Sequence, residues 1–547
     1  MDTNVSMLNI LSKNLPVEAS IQKMQGILDD MECGLTWAEE KHPLNHCFSV
    51  NLASIEAPNH IYSNGKGMHS LSSKASAMGE YIERLQTNNF FIDFHLPQRA
   101  YYPDEKVFDF GDDYLNAELH ALYDADGELS LEDLVDFNSD YEDKIVALPF
   151  MSSKNNEQVY FPINILSNLY VSNGLASGND AQEAKVQALS EIFERYAKLE
   201  IIKKGYALPH YPEAIIVSFP KLHHDIAQLR KAGFIVEVLD ASLGGLFPVT
   251  AISLINPINA TLFVSFGAHP ILEVSLERTL SELMQGRGLE NLDAFETPTF
   301  DMSIVSDSFN LESHFIDSNG KMGFAFLKTT KSFAYAPWVY KGEGSAAEYQ
   351  YLKGIVRTLG KKIYLREYTY LDFYSCQMLV PGISEVYPIE DLVYHNRNAG
   401  KAIRAMVLDF KHGDSELLLE AIEDLDESLG VEKYIGVIFE QNFNMCDLKV
   451  QLHLLLGDFE EALNVLARSE LPLSQVLSEL LHVRLQGLEL GEYQEGLEAV
   501  FGAQKVAKAL SIVEGLTYLI DVTLHVHYAN ILRLYDKLEV KKSKILA

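Results

Sequence analysis

The sequence predicts a mixed α/β (α+β) domain over residues 1–387, followed by an all-α, tetratricopeptide-like domain over residues 388–547. Three observations predict this. Strand-like and helical patterns alternate through about residue 385, as in α/β and α+β folds. From about residue 388 the pattern is almost entirely helical. Within that tail, LLLGDFEEALNVL and LELGEYQEGLEAV recur 34 residues apart, aligning Gly457 with Gly491, Phe459 with Tyr493 and Leu463 with Leu497. That period, with small and aromatic residues at fixed places, matches the tetratricopeptide helix pair.

In chain order, a leading segment carries an amphipathic helix from Ser20, with Ile21, Met24, Ile27 and Leu28 on one stripe. Cys47–Leu52 alternates like a strand, and Ala53–Tyr62 does so more weakly. Residues 99–145 are acidic and aromatic and read as a peripheral insertion; Asp109-Phe110-Gly111 within them lacks the companions of a kinase metal motif. Tyr160–Val171 reads as a strand entering the central helix. Gly233–Asp240, Pro248–Ile255 and Thr261–Phe266 are strand-like, with a tight turn at Gly244-Gly245. The tail reads either as a cap on the first domain or as a surface for a partner, a second copy in a homodimer included.

The chemistry concentrates in three helices. Asn179-Asp180 can cap the helix that runs to Tyr196. At about 100° per residue, Glu183, Gln187, Glu191 and Glu194 share one face, Arg195 lies just beyond, and Leu189 and Ile192 lie opposite. An earlier helix places Ser76, Glu80, Glu83 and Arg84 on one side and Met78, Ile82 and Leu85 on the other. Both stretches run from Ser-Asn-Gly into E-x-x-E-R. A third, fainter copy places Arg278, Glu282 and Gln285 on one face against Leu276, Leu280 and Leu283. Like charges one turn apart repel, so three such stripes imply a cation between them. The alternative is three ordinary amphipathic helices with solvated acidic sides.

Composition narrows the classes. The chain has 547 residues, 47% of them hydrophobic. Its 44 Lys and Arg against 77 Asp and Glu give a formal charge of −33, which argues against non-specific nucleic-acid binding and favours a basic protein partner. Cys33, Cys47, Cys376 and Cys446 are too scattered for a CxxC site and read as reduced, mostly buried thiols. No signal peptide and no membrane-length apolar run occurs, so the cytoplasm is expected. Neither a P-loop nor HExxH is present; Gly65-Lys66-Gly67 is too short to be the former.

These motifs resemble one family. SxxxExxER from Ser76 to Arg84 and QxxxExxER from Gln187 to Arg195 look like the nucleotide-binding motifs of the YcaO family, as do Ser265–Pro270 leading to Arg278 and Glu282, and Val380-Pro381-Gly382. The resemblance spans roughly residues 1–385 and, with the helical tail, is to stand-alone bacterial members. It implies an ATP site without a P-loop, in which carboxylates hold Mg²⁺ along the triphosphate. Glu80, Glu83, Glu183, Glu191, Glu194 and Glu282 would be metal ligands or their close supports. Ser76, Arg84, Gln187, Arg195 and Arg278 would touch phosphates or orient the carboxylates, and Lys13, Ser20 and Asn179 would lie near the nucleotide. Family members activate a backbone amide with ATP to make azolines, thioamides or amidines. The stand-alone form is associated instead with methylthiolation of a small-subunit ribosomal protein, assisting a radical methylthiotransferase. No peptide-recognition domain precedes the first helix and the end, Ser543–Ala547, is not proline-rich, so the accessory role is expected over azoline formation. An ATP-gated interaction module without amide chemistry is the other reading.

Overall fold

In the computed structural model, which describes residues 7–112, 114–292, 294–316 and 320–546, every ladder between strands is antiparallel. β1 (Leu35–Trp37), β2 (Lys41–Leu44) and β4 (Tyr62–Gly67) all pair with β3 (Cys47–Ser54) in one sheet. β5 (Lys106–Asp109), β6 (Lys144–Ser152), β7 (Gln158–Pro162), β8 (Leu175–Gly178), β12 (Tyr364–Tyr368) and β13 (Tyr374–Leu379) form the largest sheet, ordered β5-β6-β12-β13-β8 with β7 also on β6. β9 (Ile235–Asp240), β10 (Val249–Asn256) and β11 (Thr261–Ala268) form the third. The first region is therefore a mixed α/β fold, and the region after residue 388 is helical.

Each sheet delivers one strand into one acidic helix: β4 into Ser70–Gln86, β8 into Ala181–Lys204, and β11 into Leu272–Met284. Each helix packs on its own strand and also on a strand of the next unit, the first on β8, the central on β11 and the third on β4. The three units thus close into a ring. Glycine makes the strand–helix approach close enough. A Cβ at Gly65 would strike the Ser73 carbonyl, and one at Gly267 would sit 2.7 Å from the Ser275 carbonyl. The central helix starts where Asp180 accepts hydrogen bonds from the Gln182 and Glu183 amides and ends at left-handed Gly205. Its apolar face, including Leu189, Ile192, Phe193 and Ile201, is fully buried.

The two Ser-Asn-Gly runs are not structural equivalents. Ser63-Asn64-Gly65 lies inside β4, whereas Ser172-Asn173-Gly174 is a turn before β8. The expected strand at Tyr160–Val171 is a strand only to Pro162; Ile163–Tyr170 is helical. Buried Asn164 and Asn168 explain the change, since both donate to Asn396 Oδ1 and Asn164 also donates to the Val135 carbonyl. An edge-to-edge ladder would leave those amides without partners.

One apolar cluster runs continuously from the first region into the tail, while the central helix buries its apolar face in another. Residues 99–145 contribute Tyr101, Tyr102, Phe108, Leu119, Tyr123 and Leu134 to the former. In the tail, Met445–Leu456 and Phe459–Leu466 are joined at left-handed Gly457, and Ser474–Leu485 is followed by Leu490–Phe501 and Ala503–Val513. The last long helix, Val526–Lys542, returns to the first region. All four cysteines are free, and three are buried. No helix among the described residues is long and apolar enough to cross a membrane.

Candidate functional site

The ring places the polar faces of the three helices around one cleft of about 960 Å³. All fourteen residues singled out in the sequence line it. Lys13 and Ser20 come from the leading segment; Ser76, Glu80, Glu83 and Arg84 from the first helix. Asn179, Glu183, Gln187, Glu191, Glu194 and Arg195 come from the central helix and its cap, and Arg278 and Glu282 from the third.

Two arginines hold carboxylates in place, and a third holds Gln187. Arg84 pairs with Glu80 and also donates to the Tyr62 carbonyl at 3.2 Å. Arg195 pairs with Glu191 at 2.8 Å. Arg278 crosses between helices to donate to Gln187 Oε1 at 2.5 Å. Glu194 accepts the Ala268 amide at 3.1 Å, tying the central helix to β11. Lys66, on β4, pairs with Glu282.

Glu183 has another task. Its fully buried carboxylate accepts the Asn14 amide and both nitrogens of Asn179, and lies 3.9 Å from the Lys13 ammonium. Ser20 Oγ donates to Asn179 Oδ1 at 2.8 Å. Glu183 thereby fastens the leading segment beside the cleft. Ser12 strengthens that fastening by donating to Glu348 while lying 3.0 Å from His269 Nε2.

The charges are crowded. Burial, with Glu191 and Glu80 alongside, pushes Glu83 well above the usual carboxylate range. Burial also raises Glu191, against Arg195 and with Glu194 adding repulsion. Desolvation lowers both Lys13 and Lys66 despite the carboxylates near them. Among the described residues, no group of three or more His, Cys, Asp or Glu is gathered closely enough to hold a metal ion. Mg²⁺ takes one or two carboxylates together with water and phosphate oxygens. A donor set of hard carboxylate oxygens facing guanidinium and ammonium groups fits a polyphosphate bound with such a cation.

The sequence reading missed several lining residues. Lys198, one turn beyond Glu194, is lowered to about 8 by burial and donates to the His314 carbonyl at 2.6 Å. Glu273, Glu277, Lys221 and His69 also line the cleft. Glu277 is raised to about 7 by burial and by Glu273. The unfolded carboxylate titrates near 4.5, so the native state holds the extra proton between these values. The contribution of this proton to stability is then full below about 4.5 and is lost as pH rises through about 7. Glu277→Gln is expected to flatten the melting temperature over that window, as thermal denaturation across pH will show.

The family described as YcaO cyclodehydratase, ATP- and Mg²⁺-binding, matches residues 64–384. An uncharacterized protein of Haemophilus influenzae is 38% identical over 541 residues, 92% of each chain. The ribosomal protein S12 methylthiotransferase accessory factor YcaO of Escherichia coli K12 is 38% identical over 479 residues, 83% of this chain and 81% of the relative. Among solved structures, a heterocyclase in complex with substrate and cofactor aligns at a TM-score of 0.49 and 18% identity, over 69% of this chain and 54% of its own. YcaO from Methanopyrus kandleri bound with AMPPCP and Mg²⁺ aligns at 0.44 and 16%, over 69% and 94%. The family match and the 38% identity carry the conclusion: the chain belongs to the YcaO family, and its first region is that family's ATP- and Mg²⁺-binding domain.

Proposed function

We propose that this chain uses Mg-ATP, bound in the three-helix cleft, to activate an amide of a protein, as an accessory factor for methylthiolation of a small-subunit ribosomal protein. One observation carries the reading: three acidic helix faces meet in one cleft, in a chain 38% identical to an S12 methylthiotransferase accessory factor. Mg-ATP, when bound, would supply the phosphoryl group that makes a carbonyl oxygen a leaving group. The chain's own part is to bind and orient. Glu80, Glu83, Glu191, Glu194 and Glu282 hold the cations. Arg84, Arg195 and Arg278 fix those carboxylates and offset phosphate charge. Ser76 and Gln187 add polar contacts, and Glu183 positions Lys13, Ser20 and Asn179 at the nucleotide.

Residues 388–547 form the second unit of this reading, a set of tetratricopeptide-like helix pairs. Their surface meets protein partners: a radical methylthiotransferase and a basic ribosomal protein, which the net charge of −33 attracts. Such chemistry belongs in the cytoplasm.

ATP turnover by the purified full chain, alone and with S12 and its methylthiotransferase, tests the proposal. ADP or AMP formation that depends on those partners is expected. Tight ATP binding without turnover in every mixture would make the chain an ATP-gated interaction module. An azoline or thioamide on S12, in place of methylthiolation, would make it a cyclodehydratase.

A further inference from the structure

Lys66 stands between two glycines in β4, opposite Ser49 of β3. Both glycines face the first acidic helix: a Cβ at Gly65 would strike the Ser73 carbonyl, and one at Gly67 the Ser72 hydroxyl. Successive residues of a strand point to opposite faces, so Lys66 is turned away from that helix, and its side chain lines the cleft. There its ammonium pairs with Glu282 of the third helix. Glu80 of the first helix and Glu191 and Glu194 of the central helix are the further carboxylates whose charge it feels, and Arg278 is the opposing cation. Lys66 therefore sits in a cleft lined by carboxylates of all three helices, in contact with Glu282, which the ATP–metal reading makes a metal ligand.

We propose that Lys66 is a displaceable internal counter-ion, whose ammonium neutralises the converging carboxylates in the nucleotide-free protein and gives way to the divalent cation on binding. This rests on the ATP–metal reading of the cleft. A metal ion taken up alone by Glu282 would break the Lys66–Glu282 pair and set a second cation beside the ammonium. Arriving with a nucleotide, it brings phosphate oxygens that give the freed ammonium a new partner. Metal and nucleotide are thereby coupled, and the empty site is protected from filling with metal alone. The coupling is reciprocal, so each ligand raises the affinity for the other by the same factor.

The test uses Mn²⁺ as the metal probe on the full chain, with binding read by titration calorimetry and by the paramagnetic signal of the free ion. The parent should bind Mn²⁺ alone weakly and Mn-ATP tightly. Lys66→Met should bind Mn²⁺ alone at least tenfold more tightly than the parent, while the factor by which ATP improves Mn²⁺ binding shrinks. The metal-free variant should melt below the parent, and Mn²⁺ alone should restore it. Lys66→Arg keeps the charge and should bind Mn²⁺ like the parent; Lys66→Gln serves if the methionine variant does not fold. A parent that binds Mn-ATP beside neutral variants whose Mn²⁺ affinity is unchanged overturns the proposal alone. In that case weaker Mn-ATP binding would mark a simple phosphate-binding lysine, and lower melting that Mn²⁺ does not restore a purely structural ion pair. A parent that binds no Mn-ATP overturns the underlying ATP–metal reading, and the proposal with it.

Discussion

Removing residues 526–547 is expected to leave an insoluble chain. The helix Val526–Lys542 closes the core of the first region rather than hanging beside it. It buries Tyr528, Ile531, Leu534, Tyr535 and Leu538. The Tyr535 ring meets Phe91 edge-on at 4.9 Å, and its hydroxyl donates to the Ala100 carbonyl at 2.6 Å. Lys542, 1% exposed, donates to the Tyr101 carbonyl at 2.8 Å and lies over the Tyr535 and Tyr102 rings. Burying a large apolar side chain contributes about 1.5–3 kcal/mol. Losing five of them rivals the whole stability of an ordinary domain, about 5–15 kcal/mol. Tyr535→Ala alone should lower the melting temperature and cost about 3–5 kcal/mol, the range for a buried aromatic cut to alanine. Expression and light scattering of the truncated chain provide the check. A soluble monomer with the parent's Mg-ATP affinity would show the last helix to be dispensable.

The parts of this fold that could be read from sequence are those governed by local period. The carboxylate stripes follow from helical spacing, and Asp180, Gly205 and Gly457 punctuate helices as their residue types predict. β9, β10 and β11 lie within one or two residues of their expected bounds. What escaped depends on contacts distant in sequence. Ser12 is hundreds of residues from His269 and Glu348, yet lies within hydrogen-bond distance of both. Ile163–Tyr170 looks like a strand until Asn396 arrives to satisfy its buried amides. Gly65-Lys66-Gly67 is too short for a P-loop, and its meaning is geometric: two glycines for a close helix, one cation turned the other way. The shared Ser-Asn-Gly was a coincidence of letters, since one copy is strand and the other turn. E-x-x-E-R is the closer correspondence, since in both helices its glutamates and arginine line the one cleft.

Glu191→Gln is expected to weaken Mg-ATP binding by about tenfold or more, roughly 1.4 kcal/mol, without harming the nucleotide-free fold. Glu191 is partly buried beside Glu83 and Glu194, and its ionised form is disfavoured there. Glutamine keeps the shape and removes one of the repelling charges. The Arg195 pair at 2.8 Å is weakened, but Arg195 keeps the Ser172 hydroxyl at 3.5 Å and the Phe315 ring. The free variant should thus melt at the parent's temperature or above it. With Mg-ATP the balance reverses, because a carboxylate that repels in the empty site is a ligand or close support in the filled one. Calorimetric titration of both proteins reads the difference directly.

The convergence of the three helices on one bound polyanion is the central claim, and the melting shift caused by Mg-ATP tests it most directly. The measurement compares the parent with Glu80→Gln, Glu191→Gln and Glu282→Gln, one variant from each helix, at a fixed and saturating ligand concentration. At about 100 times the dissociation constant, binding adds about 2.7 kcal/mol to stability, enough to see in a chain of 547 residues. The account predicts a clear upward shift for the parent and a much smaller one for all three variants. Equal shifts in parent and variants would contradict it, and would leave the three acidic faces as solvated surface.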